Sequence, residues 1–157
     1  MTFTGSPLSS TQYAAQIAAM AEAADINAPM RYAYSKWTCA EAGVGEVNLF
    51  KLPAGRIRFY PDLSWGILGD TGQTNCNLSI GHRAYTNEDG TAVAEDDNEW
   101  LDDFDIGGGA HDADMDTIIL VPTMMNSQEG IIVFVTFDTA DIDLASVMEL
   151  WFAYTHA

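Results

Sequence analysis

Three histidines (His82, His111, His156) and two cysteines (Cys39, Cys76) are the side chains of this 157-residue sequence best suited to metal or nucleophile chemistry. No C-x-x-C or H-x-x-x-H spacing joins them, so a zinc site lacks its ligand pattern, and core thiols with ordinary imidazoles are expected. A serine nucleophile would want a G-x-S-x-G elbow. Instead Ser64, Ser79 and Ser146 lie in strand-like contexts without a recognisable base. Gly107-Gly108-Gly109 lacks the Lys-Ser/Thr of a phosphate loop, and the flanking Asp105 and Asp112 would repel a phosphate. Paired carboxylates beside Trp65 and Trp100 would suit glycoside hydrolysis, but among 23 acids some pair at the required separation arises by chance. Calcium is the better match to the acids. Asp112-x-Asp114-x-Asp116 opens like an EF-hand loop, and Asn87-x-Asp89-Gly90 offers oxygens near a turn. The EF-hand fails at its sixth position, which is Thr117 rather than Gly, and no Glu stands at the twelfth. The expectation is a protein with no catalytic residues, no cofactor and no specified metal site.

The acids are unevenly placed. Residues 1–83 hold six acids and all six bases, so that part is neutral, whereas residues 84–157 hold the other 17 acids and no Lys or Arg. Twelve of them fall in Thr86–Asp116. The net charge of −17 argues against nucleic acid or an anionic membrane as partner, since phosphate contacts need clustered bases. Crowded carboxylates must be solvated, paired or cation-bound, and a solvated acidic rim is the simplest arrangement. The first thirty residues carry no Lys or Arg, as a secretory n-region would, and runs such as Ile131–Val135 are too short to span a bilayer. Cytoplasmic synthesis and reduced cysteines are therefore expected.

These residues need a scaffold, and hydrophobic periodicity indicates which. Tyr13, Ile17, Met20 and Ala24 recur at spacings of four, three and four, which predicts a helix over Ser10–Ala24 ended by Ala28-Pro29. Its narrow apolar stripe would be marginal in isolation, so it is expected to dock on its own domain or a neighbouring subunit. From Arg31 the period changes to two. Strands are predicted at Arg31–Thr38, Val44–Leu52, Arg56–Tyr60, Trp65–Leu68, Asn75–Tyr85, Thr117–Pro122, Gly130–Phe137 and Ser146–Tyr154, the last two being central. Asn98–Phe104 reads as a short helix with Trp100, Leu101 and Phe104 on the core side. The expected organisation is an N-terminal helical arm, residues 1–30, and a mainly β domain, residues 31–157, folded as a β-sandwich of jelly-roll or Greek-key wiring.

Three blocks together, Gly45–Arg56 (GEVNLFKLPAGR), Phe59–Ser64 (FYPDLS) and Leu78–Thr91 (LSIGHRAYTNEDGT), resemble small structural proteins of tailed bacteriophages, including capsid decoration or cement proteins. In that group an aromatic first strand, a KLPAG turn, a DL segment and an IGH.AYTN.DGT block follow in this order, and an acidic excursion leads into the final strands. The resemblance covers roughly Arg31–Tyr154. It implies a virion protein on the capsid exterior, binding the major capsid protein, commonly as a homotrimer, with no catalytic residues. The arm lies outside the matching region, and its Tyr13, Ile17 and Met20 are the candidate capsid- or subunit-binding residues by their spacing alone. A tail, fibre or adaptor component with a carbohydrate-binding sandwich is the alternative, for which exposed and clustered Trp65, Trp100 and Trp151 would be the sign.

Overall fold

The computed structural model describes residues 29–39, 43–69, 76–106, 111–114, 123–142 and 146–156. Strict alternation in Arg31–Thr38 makes β1, with Ala33, Ser35 and Trp37 turned inward and Tyr32, Tyr34 and Lys36 outward. There follow β2 (Gly43–Leu52), β3 (Gly55–Phe59), a single 3-10 turn (Pro61–Leu63), β4 (Trp65–Leu68) and β5 (Asn77–His82). Then come β6 (Tyr85–Thr86), β7 (Ala92–Val93), β8 (Asp96–Asp105), β9 (His111–Asp114), β10 (Met124–Ser127), β11 (Ile131–Ile142) and β12 (Val147–His156).

Among the described residues these strands form two main antiparallel sheets. One runs β2-β11-β5-β8. The other is built around β12, which pairs β1 along one side over Arg31↔Tyr154 to Thr38↔Val147. Along its other side β12 pairs β3 near its C-terminal end, Tyr154↔Phe59 to His156↔Ile57, and β4 nearer its start, Met148↔Leu68 to Trp151↔Trp65. β10 extends the sheet beyond β3, and β9 extends it beyond β4. β3 and β4 thus lie end to end on one flank of β12, with the Pro61–Leu63 turn between them.

The sheets meet through aromatic side chains, which gives a β-sandwich. Phe59 and Phe152 stack at 3.8 Å, and Trp100 meets both edge-on, at 5.4 and 5.0 Å. Phe50 meets Phe152 at 5.5 Å, and Trp37 stacks on Phe137 at 5.3 Å. All six are in the buried core with Val47, Leu49, Leu52, Leu78, Ile80, Val133 and Leu150. Burial of that much apolar surface is the main force holding the layers together.

Most expected strands are present, and the two expected to be central are, one in each sheet: β11 lies between β2 and β5, and β12 between β1 and the β3–β4 flank. One expectation fails. Asn98–Phe104 is part of β8, not a helix. Trp100 and Leu101 are both buried although adjacent, because the pairing of β8 with β5 shifts register and Asp103 takes a left-handed φ of 53°. An irregular strand therefore imitates the apolar spacing of a helix. The expected N-terminal helical arm and the Thr117–Pro122 strand lie outside the described residues.

Candidate functional site

The two outer faces of the sandwich differ in chemistry. On the β12 sheet, outward positions of β1, β12 and β4 fall opposite one another, with Tyr34 across from Trp151 and Trp151 across from Trp65. Trp65 and Trp151 stack at 3.8 Å with their planes 8° apart, and Tyr34 lies on the other side of Trp151 at 4.8 Å. Directly opposed aromatic pairs of this kind stabilise a sheet. The row stays open to solvent nonetheless: Tyr32 is 51% exposed, Tyr34 39%, Trp65 43% and Ile67 41%.

A polar cluster borders this row. Glu149 accepts hydrogen bonds from Lys36 Nζ and Tyr34 Oη, each at 2.8 Å. Those two donors hold the Glu149 carboxyl below its ordinary range, and Glu149 in turn raises the Lys36 ammonium. Partial burial first, and the Glu149 contacts second, raise the Tyr34 phenol. At the far side of the sheet Arg56 and Arg58 share the outer face of β3, as their i, i+2 spacing requires, and exposed Met124 of β10 pairs with Arg58. Arg58 lies over the Tyr60 ring, 5.3 Å from its centre. Four of the six bases, Arg31, Lys36, Arg56 and Arg58, are on β1 and β3 of this sheet.

The opposite sheet carries acid. Asp97, Asp102, Asp103 and Asp105 of β8 and Asp138 of β11 are exposed. Arg83 is set among these carboxylates. Arg83 bridges Glu46 at 2.6 Å and Glu95 at 3.1 Å, donates to Asn48 at 2.9 Å, and lies 3.8 Å over the ring of Phe134. It shields from water an apolar ring that would otherwise face outward.

The residues weighed for catalysis have structural positions. Ser64 Oγ accepts from Ala153 N at 2.8 Å and donates to the Tyr60 carbonyl at 2.9 Å, and Ser79 Oγ accepts from Asp103 N at 3.0 Å. His82 is buried against Tyr85 and Trp100, with Nδ1 3.1 Å from the Arg83 carbonyl. Cys39 and Cys76 are buried thiols, and burial pushes Cys76 up to about 11. Asp89 accepts from Thr91 N at 2.8 Å inside the β6–β7 hairpin, so its carboxylate closes a turn. Among the described residues no group of three or more His, Cys, Asp or Glu could hold a metal ion. Asp112 and Asp114 belong to β9, and Asp116 lies outside the described residues. Two open grooves flank Tyr85, about 400 Å³ beside Arg56 and Met124 and about 260 Å³ beside Lys51 and Gln128.

Tyr13, Ile17 and Met20 lie outside the described residues. Of the tryptophans named for sugar stacking, Trp65 and Trp151 come together on the surface, whereas Trp100 is fully buried. Sequence reasoning missed Tyr34 as their companion. The outward tyrosines of RYAYSKWT were the available signal, but the pairing of β1 and β4 to the same strand is a long-range fact.

No protein-family model matches the chain, and no curated protein matches it. Among solved structures, a chain of the cyanophage Pam1 capsid asymmetric unit is similar at 10% identity with a TM-score of 0.45, over 83% of this chain and 86% of that one. A likeness of that degree decides neither family nor role.

Proposed function

We propose that this chain is a virion structural protein, a capsid decoration or cement protein that binds and stabilises the major capsid lattice. It is made in the host cytoplasm and acts on the capsid exterior as a homotrimer, by binding rather than by catalysis. Its sandwich is a jelly-roll or Greek-key variant. The observation that carries this reading is the contrast between the sheets: the β12 sheet bears the exposed apolar side chains with Arg56 and Arg58, and the other bears the exposed carboxylates of β8 and β11. A shell-binding protein needs one surface that docks and one that stays solvated and repels other particles. The sector of Arg56, Arg58 and Met124 suits a negatively charged shell surface, and the motif resemblance agrees with that role.

The test is co-sedimentation with heads assembled from the major capsid protein of the same phage. Wild-type protein should pellet with the heads, with affinity falling as salt rises, and Arg56→Glu/Arg58→Glu should remain in the supernatant. Failure of the wild type to bind would overturn the proposal.

One observation favours a second reading, a carbohydrate-binding tail, fibre or adaptor component. The exposed Trp65 ring lies near the Glu149–Lys36 pair, a combination of stacking face and polar groups that can hold a sugar. Glycan-array binding that is lost in Trp65→Ala would support it.

A further inference from the structure

Among the described residues no strand lies on the side of β1 away from β12. Cys39 N donates to the Ser146 carbonyl, which sets the phase of this ladder: Arg31, Ala33, Ser35 and Trp37 turn their backbone N–H and C=O groups to β12. Tyr32, Tyr34, Lys36 and Thr38 therefore aim theirs at the open edge. The other edges are short or irregular. β9 and β10 have four residues each, and the pairings of β2 and β8 are broken by register shifts. β1 instead runs eight residues in unbroken register, with no proline or glycine. A long, regular edge of this kind is a template for another strand.

We propose that the strand it takes is β1 of a second copy, antiparallel about a two-fold axis at Ser35. The ladder phase requires even-numbered residues to face even-numbered ones, so the two registers of greatest overlap centre on Tyr34 or on Ser35. Two observations select Ser35. Its Oγ is buried and finds no hydrogen-bond partner within its own copy, a rare condition for a buried hydroxyl. In this register it stands beside the partner's Ser35, with Cα atoms about 4.5 Å apart, so each hydroxyl gains a partner. The inward side chains also fit by size, since Ala33 falls opposite the partner's Trp37. Centring on Tyr34 would leave Ser35 against the partner's Ala33 and its hydroxyl still unsatisfied. On the outer face Tyr34 falls opposite the partner's Lys36, whose aliphatic stem can cover the ring while the ammonium stays on its own Glu149. A two-fold contact uses both open edges at once and closes. It joins copies in different trimers of the association proposed above, and it does not depend on capsid binding.

Ser35→Cys in the full chain tests the register. The opposed Cα atoms, about 4.5 Å apart, fall within the roughly 4.4–6.8 Å that a disulfide spans. Mild oxidation should convert most of the variant to a covalent dimer on non-reducing gels, whereas wild type, with Cys39 and Cys76 buried, should stay single. Tyr32→Cys is the control: its copies lie six positions out of register, roughly 20 Å apart, and should not join. A single chain after oxidation of Ser35→Cys, or equal crosslinking of both variants, would overturn the proposal.

Tyr34→Pro removes an N–H aimed at the open edge and none that β12 uses. Light scattering should give half the wild-type mass for this variant when its circular dichroism matches wild type. An unchanged mass in the folded variant would overturn the proposal, and Ser35→Cys alone decides if Tyr34→Pro does not fold.

Discussion

Ser64→Ala should destabilise the fold by about 2 kcal/mol, through a single backbone group. Between β3 and β4 the ladder to β12 is interrupted by the Pro61–Leu63 turn, opposite Ala153. Two donors close the gap: Tyr60 N bonds the Ala153 carbonyl at 3.0 Å, and Ala153 N bonds Ser64 Oγ at 2.8 Å. Both residues are buried, Ala153 at 0% and Ser64 at 2% exposure. Removing the hydroxyl leaves a buried N–H without an acceptor, which costs about 1–3 kcal/mol. Loss of the hydroxyl's own bond to the Tyr60 carbonyl adds little, since that carbonyl also accepts from Leu63 N at 3.2 Å. For a chain of this size about 2 kcal/mol corresponds to a Tm lower by roughly 4–8 °C. Urea unfolding followed by circular dichroism should show a lower midpoint at unchanged m, because the native and unfolded surfaces are otherwise the same. A loss below about 0.5 kcal/mol, typical of an inconsequential surface change, would refute this account of Ser64.

Gly81→Ala should be worse than Gly90→Ala, although only Gly90 has a left-handed φ, +89°. A Cβ at Gly81 would overlap the Asp96 carbonyl oxygen and lie 2.6 Å from the Asp97 carbonyl carbon, forcing β5 and β8 apart at about 3 kcal/mol, whereas at Gly90 it meets open space and costs about 1–2 kcal/mol. Thermal unfolding of both variants checks the order, and the reverse ranking would count against the close approach of the two strands. Glu99→Gln tests a titration: burial, with Asp96 second, raises the Glu99 carboxyl above 4.5. Its neutral form is the better fit, so its contribution is present below the ordinary value and lost as pH rises through the raised one. The variant should be more stable than wild type near about pH 7 and equal to it near about pH 4, and a constant difference would show that titration is not the cause.

Period-two alternation made β1 legible to the residue, and it located β2, β3, β4, β5, β11 and β12 within a few positions. It also placed Arg56 and Arg58 on one face. β8 was not legible, because two adjacent inward side chains, Trp100 and Leu101, depend on a bulge that only pairing with β5 imposes. β6, β7, β9 and β10 are two to four residues long, too short to show a period. The aromatic row was half legible. Trp65 and Trp151 stood out as types, but their contact joins residues far apart in the chain and is set by register with β12. The division of the faces was foreshadowed by the charge split at residue 83, yet the division in space follows sheets rather than halves. Arg83 stands among the acids, and Glu149 among the bases.

The placement of β11 and β12 has a consequence for how the chain reaches this state. Each lies in the interior of its sheet, and both follow the other described strands in the chain. β1 pairs with β12 across more than a hundred residues, and β2 pairs with β11 across nearly as many. Neither early strand has a sheet to join until β11 and β12 have been made, so the native topology forms late and slowly, as high contact order demands. A nascent or truncated chain lacking β12 would leave β1 and β3 without their shared neighbour and expose the apolar sides of both. Synthesis errors near the end of the domain would therefore yield aggregation-prone chains rather than weakened ones.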